Sequence, residues 1–325
     1  MNLSGLAIDP AVFDPASISA ETKAINAGIL KALAGLPDMW SFPPQVIRDR
    51  RAQGLGPFPL VDPVATARDQ EISGRDGKIP LRIYAPQKRD SRGVYLHIHG
   101  GGWVLGAARE NDPRLQRIAE NTGQTVVSVD YRLAPEHPYP AGPDDCEDAA
   151  LWLLNGGLEE LGGGILTIGG ESAGAHLSVL TLIRLRDNHG TMPFIAANLV
   201  AGCYELRLSP SVRRWGSEKL ILNTRDIEKF CECFVQGDHS AEDPAINPIL
   251  ANLNGLCPAL FSVGTRDPLL DDTLMMAPLW LAAGNYTELA VFPGGAHVFQ
   301  AFPGKLAQTG LQRIDDFLNA AIEAA

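Results

Sequence analysis

Short runs of apolar residues recur along the chain from residue 94 onwards, and segments long enough to form helices separate most of them. The runs lie at 94–98, 125–129, 165–168, 195–201, 259–263 and 287–292. Near-continuous apolar strands that alternate with helical segments are typical of a parallel sheet that is buried on both faces. The pattern therefore predicts an α/β fold in which helices flank a mostly parallel central sheet.

The segments on either side of this region have different patterns. Two alternating segments within 64–86 flank the sequence Gly-Arg-Asp-Gly at 74–77, which predicts an antiparallel hairpin. Near the end of the chain, apolar residues follow the helical period and predict a closing amphipathic helix. These residues are Leu311, Ile314, Leu318 and Ile322.

Two further segments fall outside the alternation of strands and helices. The first 60 residues are rich in Ala, Ile, Leu and Pro, with helical periodicity over 22–36, and we call them the arm. The interval at about 203–250, here called the cap insertion, is too long for an ordinary crossover loop. We expect the arm and the cap insertion to form a helical cap over the catalytic domain, which spans 61–325.

The composition narrows the range of functions. The chain has 325 residues, a net charge of -11 and a pI near 5.1, which disfavour nucleic acid as a partner. It shows neither a leader peptide nor an apolar run long enough to cross a bilayer, so we expect a cytoplasmic protein. We further expect a monomer or a homodimer. Its five cysteines lack the spacing of a disulfide framework or a metal site, and we expect no metal and no cofactor.

The sequence Gly-Glu-Ser-Ala-Gly at 170–174 follows one apolar run and precedes a second, at 177–183, that predicts a buried helix. In this pattern a serine occupies a sharp turn between a strand and a helix, where only small neighbours fit. The context makes Ser172 the candidate nucleophile. Acyl transfer by a serine also needs a base, a carboxylate that orients the base, and amide donors for the oxyanion.

Asp267 is the best candidate for the carboxylate. Catalytic groups in open parallel sheets gather in loops that follow the strands, and Asp267 comes soon after the run at 259–263. Asp271 and Asp272 are nearby rivals at the start of the next predicted helix, where an acid more often serves as a cap or dipole partner. We therefore favour Asp267.

His297 is the best candidate for the base, because it lies in a glycine-rich loop after the last apolar run. His176 is the strongest rival, since it follows Ser172 by four residues on the same helix face. Its side chain should pack along the helix rather than reach over the serine. The chain order that results, Ser172, Asp267 and His297, is that of one known triad arrangement.

Three glycines at 100–102 follow the apolar run at 94–98 and precede Trp103. Glycines let the main chain approach a ligand and point its amide hydrogens inward, so this loop and the amide of Ala173 are suited to hold an oxyanion. A phosphate cradle is disfavoured, because no Lys-Ser or Lys-Thr follows the glycines. Trp103 is placed to line the acyl pocket, with a core or exposed tryptophan as the alternative.

Taken together, these motifs resemble the hormone-sensitive-lipase-like family of α/β-hydrolase esterases. The likeness spans about residues 60–325 and also rests on Asp-Tyr-Arg-Leu-Ala-Pro-Glu at 130–136 and Asn-Pro-Ile-Leu-Ala at 247–251. It implies the α/β-hydrolase fold and the activity of a lipolytic serine carboxylesterase. The expected partners are small-molecule esters with short acyl chains, which the enzyme would cleave through an acyl-enzyme. The roles it implies are Ser172 as nucleophile, Asp267 as acid, His297 as base, and the amides of Gly101, Gly102 and Ala173 as oxyanion hole.

The resemblance leaves two alternatives open. The chain departs from the usual family pattern in having Glu171 before the serine and Ala175 after Gly174. Ser-Ala-Gly-Ala-His at 172–176 is also similar to kynurenine formamidases, which makes an amide or formyl hydrolase one alternative. Their glycine motif usually has an aromatic residue in place of Gly102, and this favours an esterase. The other alternative, a non-catalytic small-molecule binding protein on the same fold, would require a displaced triad because His297 is present.

Overall fold

The computed structural model describes residues 6–325, and within this range eight strands form a single sheet. The strands are β1 (Arg68–Gly74), β2 (Gly77–Tyr84), β3 (Gly93–Ile98), β4 (Thr125–Val129), β5 (Ile165–Glu171), β6 (Phe194–Val200), β7 (Ala259–Arg266) and β8 (Thr287–Ala296). Their order across the sheet is β1-β2-β4-β3-β5-β6-β7-β8.

The sheet is antiparallel at one edge and parallel elsewhere. β1 and β2 form the predicted hairpin, in which Gly74 pairs with Gly77 across the turn. β2 also pairs antiparallel with β4, whereas every other neighbouring pair is parallel. The prediction of an α/β fold with a mostly parallel sheet is therefore confirmed.

Ten α-helices lie within the described residues, and none is long and apolar enough to span a membrane. They are α1 (Ala20–Leu33), α2 (Pro44–Ala52), α3 (Asp112–Thr122), α4 (Ala141–Trp152), α5 (Leu158–Glu160), α6 (Ala173–His189), α7 (Pro210–Trp215), α8 (Thr224–Phe234), α9 (Leu270–Ala282) and α10 (Lys305–Ala324). Single helical turns occur at Pro10–Phe13, Pro15–Ser17, Met39–Ser41, Ala108–Asn111, Leu153–Gly157, Pro248–Leu250 and Phe299–Ala301.

Helices cover both faces of the sheet because alternate strand residues point to opposite sides. On one face, residues such as Leu96 pack with side chains of α4, α6 and α9. On the other face, residues such as Tyr95 pack with side chains of α3 and α10. The runs that are apolar without alternation thus correspond to strands buried on both sides.

The first helix of the arm ends earlier than its periodicity predicts. Ser19 caps α1 by accepting a hydrogen bond from the amide of Thr22, and the helix stops at Leu33 rather than at 36. Gly35 adopts a φ of 79°, and Pro37 follows it. A left-handed glycine and then a proline end a helix, which accounts for the difference.

The arm packs against α8, which belongs to the cap insertion together with α7. Nε1 of Trp40 donates a hydrogen bond to Oδ1 of Asp226, 2.9 Å away, and Asp226 forms a capping box with Asn223 at the start of α8. The Trp40 ring also meets Phe230 edge-on, with the ring centroids 5.0 Å apart. The arm therefore contacts both the first turn and the buried face of α8.

Asp272, in the first turn of α9, anchors the start of the cap insertion. Its Oδ1 accepts hydrogen bonds from the main-chain nitrogens of Tyr204, at 2.8 Å, and Glu205, at 2.9 Å. The side chain is fully buried, and this burial raises the pKa of Asp272 to about 7. The carboxyl thus joins α9 to the first residues of the cap insertion, and its burial makes it difficult to ionise.

We expect Asp272→Asn to change how the stability of the protein depends on pH. The folded pKa of about 7 lies above the ordinary 3.8, so the carboxyl stabilises the fold fully below pH 3.8 and loses this contribution as the pH rises through 7. Such a shift corresponds to on the order of 4 kcal/mol. Asn keeps an oxygen for the two amides but does not titrate.

Urea unfolding on both sides of neutral pH tests this expectation. Between about pH 5 and pH 8, the wild type should lose more free energy of unfolding than Asp272→Asn does. The comparison with the variant removes the contributions of all other titrating groups, since both proteins share them. Equal losses in the two proteins would show that Asp272 is not the group responsible.

Candidate active site

Ser172 occupies a strained turn between β5 and α6. Its φ of 56° and ψ of -121° lie where non-glycine residues are rarely found. Close packing holds the turn, because a Cβ added to Gly170 or Gly174 would lie less than 3.0 Å from the carbonyl oxygen of Ile98 on β3. The amide of Ser172 donates to the carbonyl oxygen of Val200 at the end of β6, 2.8 Å away. The geometry is that expected of a nucleophile turn.

Asp267 and His297 are in direct contact where β7 and β8 end. Nδ1 of His297 lies 2.9 Å from Oδ2 of Asp267 and 3.1 Å from its Oδ1, and both side chains are buried. With the proton of Nδ1 directed at the carboxylate, Nε2 is the acceptor nitrogen of a neutral ring. The rival acids point elsewhere: Asp271 pairs with Arg214, and Asp272 binds the cap insertion.

Ser172, Asp267 and His297 each follow a parallel strand at its carboxyl end, so all three lie along one edge of the sheet. Among residues 6–325, the hydrogen bonds of the His297 ring go to Asp267 and none goes to Ser172. In free enzymes such catalytic contacts are often long and tighten only when the substrate binds. No group of three or more His, Cys, Asp or Glu side chains in this range is arranged to hold a metal ion.

The rival histidine has no nitrogen available for the serine. Nδ1 of His176 accepts a hydrogen bond from Nε1 of Trp103 at 3.1 Å, and its Nε2 donates to the carbonyl oxygen of Ile246 at 2.8 Å. Burial lowers the pKa of His176 to about 4, so the ring is neutral near pH 7. His176 therefore links α6 to the cap insertion, a role that its position on the helix did not reveal.

The loop of three glycines after β3 has the conformation that only glycine adopts easily. Gly101 and Gly102 have φ values of 119° and 61°. The carbonyl oxygen of Gly101 accepts hydrogen bonds from the main-chain nitrogens of Val104 and Leu105, at 3.2 and 2.8 Å, which closes the loop. A Cβ on Gly102 would lie less than 3.0 Å from the ring of Phe230, so the cap insertion packs directly on this loop.

Trp103 is a core residue rather than an exposed wall of a pocket. Its side chain is almost fully buried, and its ring stacks on Phe234 of α8 with the centroids 4.6 Å apart. Together with the hydrogen bond to His176, this stacking holds the end of the glycine loop against α6 and α8. These contacts match the core alternative, and the placement of Trp103 in the acyl pocket stays a prediction.

Glu171 joins the nucleophile turn to the glycine loop. Its Oε1 accepts a hydrogen bond from the amide of Gly100 at 3.0 Å, and its Oε2 lies 3.0 Å from Nε2 of His97 and 2.7 Å from Nη2 of Arg114. Burial alone would raise the pKa of Glu171, but Arg114 and then His97 outweigh it and hold the pKa well below its usual range. From the sequence, Glu171 is visible only as a departure from a family pattern, because its partners are distant along the chain.

The Asp-Tyr-Arg stretch at 130–132 supports the same loop from outside. The hydroxyl of Tyr131 donates to the carbonyl oxygen of His99 at 2.9 Å, and the two rings stack with centroids 4.4 Å apart. Nη2 of Arg132 pairs with Oδ1 of Asp145 on α4 at 2.8 Å. Tyr131 and Arg132 thus hold the stretch between the glycine loop and α4.

Comparison with known proteins identifies the family to which the chain belongs. The protein-family model described as alpha/beta hydrolase fold matches residues 95–301. The carboxylesterase NlhH of Mycobacterium tuberculosis is 36% identical over 243 residues, which cover 72% of this chain and 76% of that protein. The chain belongs to the hormone-sensitive-lipase-like family of α/β-hydrolase esterases.

Further relatives agree with this assignment. Ethyl acetate hydrolase of Pseudomonas putida is 31% identical over 242 residues, which cover 71% of this chain and 74% of that protein. The structure of a hyperthermophilic esterase from the archaeon Pyrobaculum calidifontis superposes with a TM-score of 0.83 at 28% identity, covering 94% of this chain and 99% of the other. The protein is a serine carboxylic ester hydrolase, and we refer to it as the esterase.

The arm of the esterase also contacts the end of β8, the strand that precedes His297. Nδ2 of Asn26 on α1 donates to the carbonyl oxygen of Gly294, and the amide of Gly294 donates to Oγ1 of Thr265, both at 2.8 Å. The end of β8, directly before His297, is thus held by the arm on one side and by the end of β7 on the other. This contact joins residues from opposite ends of the chain, so no local sequence signal predicts it.

We expect Gly102→Ala to lower kcat/KM of the esterase by about tenfold or more, because displaced loop amides would no longer face an oxyanion. The added Cβ would collide with Phe230, and the double variant Gly102→Ala/Phe230→Ala should therefore recover part of the loss. Gly35→Ala is the matched control, since Gly35 also has a positive φ, 79°, but has open space around its Cα. If Gly102→Ala were as active as Gly35→Ala, the proposed role of the loop would be wrong.

Proposed function

We propose that Ser172, His297 and Asp267 act as the catalytic triad of the esterase. The observation that carries the proposal is the buried, hydrogen-bonded pair of Asp267 and His297 at the sheet edge where the turn of Ser172 also lies. Asp267 orients the imidazole and stabilises its charged form, so that Nε2 of His297 can accept a proton. The serine then has the base that an ordinary alcohol needs to attack an ester.

In the first half of the reaction, Oγ of Ser172 bonds to the carbonyl carbon of the ester while Nε2 of His297 takes the hydroxyl proton. The carbonyl oxygen becomes an oxyanion, which the amides of Gly101, Gly102 and Ala173 hold. When the tetrahedral intermediate collapses, the bond from carbon to the alcohol oxygen breaks, and His297 gives its proton to that oxygen. The acyl group is left bonded to Ser172.

The second half of the reaction repeats these steps with water. His297 takes a proton from a water molecule as the water oxygen bonds to the acyl carbon, and the same amides hold the second oxyanion. Collapse then breaks the bond to Oγ of Ser172, which receives the proton from His297. The products are a carboxylic acid and the free enzyme, and the proposed cycle needs neither a metal nor a cofactor.

We infer that the preferred acyl groups are short. Two relatives have names that point this way: the ethyl acetate hydrolase and an acetyl esterase of Salmonella typhi that is 29% identical. Phe230 packs on Gly102 and thereby limits the space beside the glycine loop. In this proposal the arm and the cap insertion together form the cap over the site, and Trp103 positions the glycine loop.

A cytoplasmic location and a monomeric or homodimeric state stay predictions from the sequence. They do not enter the proposed reaction, because every group assigned to it belongs to one chain.

We expect Ser172→Ala to lower kcat by about 10⁴-fold or more, since it removes the attacking oxygen. Ser178→Ala is the matched control: Ser178 is a buried serine on α6, and its hydroxyl donates to the carbonyl oxygen of Gly174 at 2.8 Å. The control should keep most of the activity. Hydrolysis of a chromogenic acetate ester and the urea unfolding midpoint are measured on both, and near-normal turnover by a folded Ser172→Ala would refute the assignment.

The same assay separates the alternatives when the substrate is varied. Esters of increasing acyl length should react progressively more slowly, and an anilide and a formanilide of matched size should react more slowly than the acetate ester. A preference for the formanilide would favour the formamidase alternative. Binding of esters without turnover, and without labelling by a phosphonate, would favour the binding protein.

A further inference from the structure

We propose that Arg114 is a positioning residue for ester hydrolysis, which acts by neutralising Glu171 beside the oxyanion hole. The inference rests on the proposed function, because it assumes an oxyanion held by amides of the glycine loop and of Ala173. Arg114 lies on α3 and acts through Glu171 rather than on the substrate.

Glu171 links the two segments that supply the proposed oxyanion donors. Along the chain it directly precedes Ser172 and Ala173, and across space its Oε1 holds the amide of Gly100 at the start of the glycine loop. A Cβ on Gly100 would lie 3.3 Å from Cβ of Ser172, so the loop and the nucleophile turn are in contact here. The carboxylate therefore connects both halves of the oxyanion hole.

The carboxylate of Glu171 is a negative charge beside the proposed oxyanion hole, where hydrolysis creates a second negative charge on the ester oxygen. Glu171 is buried, so the surrounding water screens its charge only weakly. Without a compensating positive charge, the carboxylate of Glu171 would repel the developing oxyanion. The carbonyl of the bound ester is neutral, so this repulsion would raise the energy of the transition state more than that of the bound ester. Efficient hydrolysis therefore requires a positive charge close to Glu171.

Arg114 supplies this charge. Its Nη2 lies 2.7 Å from Oε2 of Glu171 and donates to Oδ1 of Asn111 at 2.8 Å, which fixes the guanidinium in place. Burial lowers the pKa of the ring of His97, the other side chain that contacts the carboxylate, and so disfavours its charged form; its Nδ1 lies 2.8 Å from the hydroxyl oxygen of Ser128. Among the residues that the structure describes, the full positive charge in contact with Glu171 thus comes from Arg114.

We expect Arg114→Gln to lower kcat by about 10- to 100-fold with little change in KM. The uncompensated charge of Glu171 would repel the oxyanion of the transition state but not the neutral bound ester. Arg117→Gln is the matched control. Arg117 lies on the same helix, and its Nη2 pairs with Oδ2 of Asp315 at 2.6 Å. Steady-state kinetics with a chromogenic acetate ester should show a kcat close to that of the wild type for the control.

A second substitution distinguishes compensation of charge from a purely structural ion pair. In Arg114→Gln/Glu171→Gln, the new side chain at 171 keeps an oxygen for the amide of Gly100 but carries no charge. We expect kcat of this double variant to exceed that of Arg114→Gln by about fivefold or more. If the double variant is as slow as the single one while both are folded, the proposal is overturned.

Folding is checked separately, because removing one partner of a buried ion pair can also destabilise a protein. If Arg114→Gln does not fold, Arg114→Lys and the double variant decide the question. Both should have kcat within about tenfold of the wild type, since neither leaves Glu171 charged and unpaired. A larger loss in either, with a normal unfolding midpoint, would overturn the proposal.

The outcome for Arg114 is distinguishable from the outcome for the proposed function. Turnover by Ser172→Ala would contradict the triad, whatever the Arg114 variants do. An inactive Ser172→Ala, combined with wild-type kcat in a folded Arg114→Gln, would leave the triad in place and contradict the role of Arg114 alone.

Discussion

The site depends on how closely the main chains of β3, β5 and α6 approach one another. Side chains at Gly170 or Gly174 would overlap with the carbonyl oxygen of Ile98, so the approach is possible only with glycine at these positions. It forces Ser172 into a positive φ, which costs about 1 to 3 kcal/mol and persists because the buried strands around it over-determine the turn. The glycine loop follows directly from Ile98, and the same packing therefore brings the proposed oxyanion donors next to the serine.

Close packing of main chains also explains why a charged residue lies inside the core. In the proposed reaction the amides of Gly101 and Gly102 bind the substrate oxyanion, whereas the buried amide of Gly100 needs an acceptor within the protein. Glu171 provides it, and its burial would be costly without the partners Arg114 and His97. The esterase thus has a charged pair beside its proposed oxyanion hole, in which the carboxylate holds the loop and the guanidinium cancels the charge.

Much of the fold and the core of the candidate site could be predicted from the sequence, because they depend on local patterns. Apolar runs mark the strands, and polar residues just after them mark the edge where Asp267 and His297 meet. The contacts of Glu171, and the hydrogen bond from Trp40 to Asp226, could not be predicted, since each joins residues far apart in the chain. The spacing of apolar residues does not predict which amide a buried carboxylate will bind. The helix predicted over 22–36 ends early for a local reason, a left-handed glycine followed by proline.

In the proposed reaction, Ser172 attacks an ester whose oxyanion is held between the glycine loop and the nucleophile turn. A crystal structure of the esterase after inactivation by a short-chain phosphonate ester would show where each of these groups lies during the attack. We expect phosphorus to be bonded to Oγ of Ser172, with its phosphoryl oxygen about 3 Å from the amides of Gly101, Gly102 and Ala173. Nε2 of His297 should be within hydrogen-bond distance of the adduct. A phosphonate on another residue, or a phosphoryl oxygen directed away from these amides, would contradict the proposed reaction.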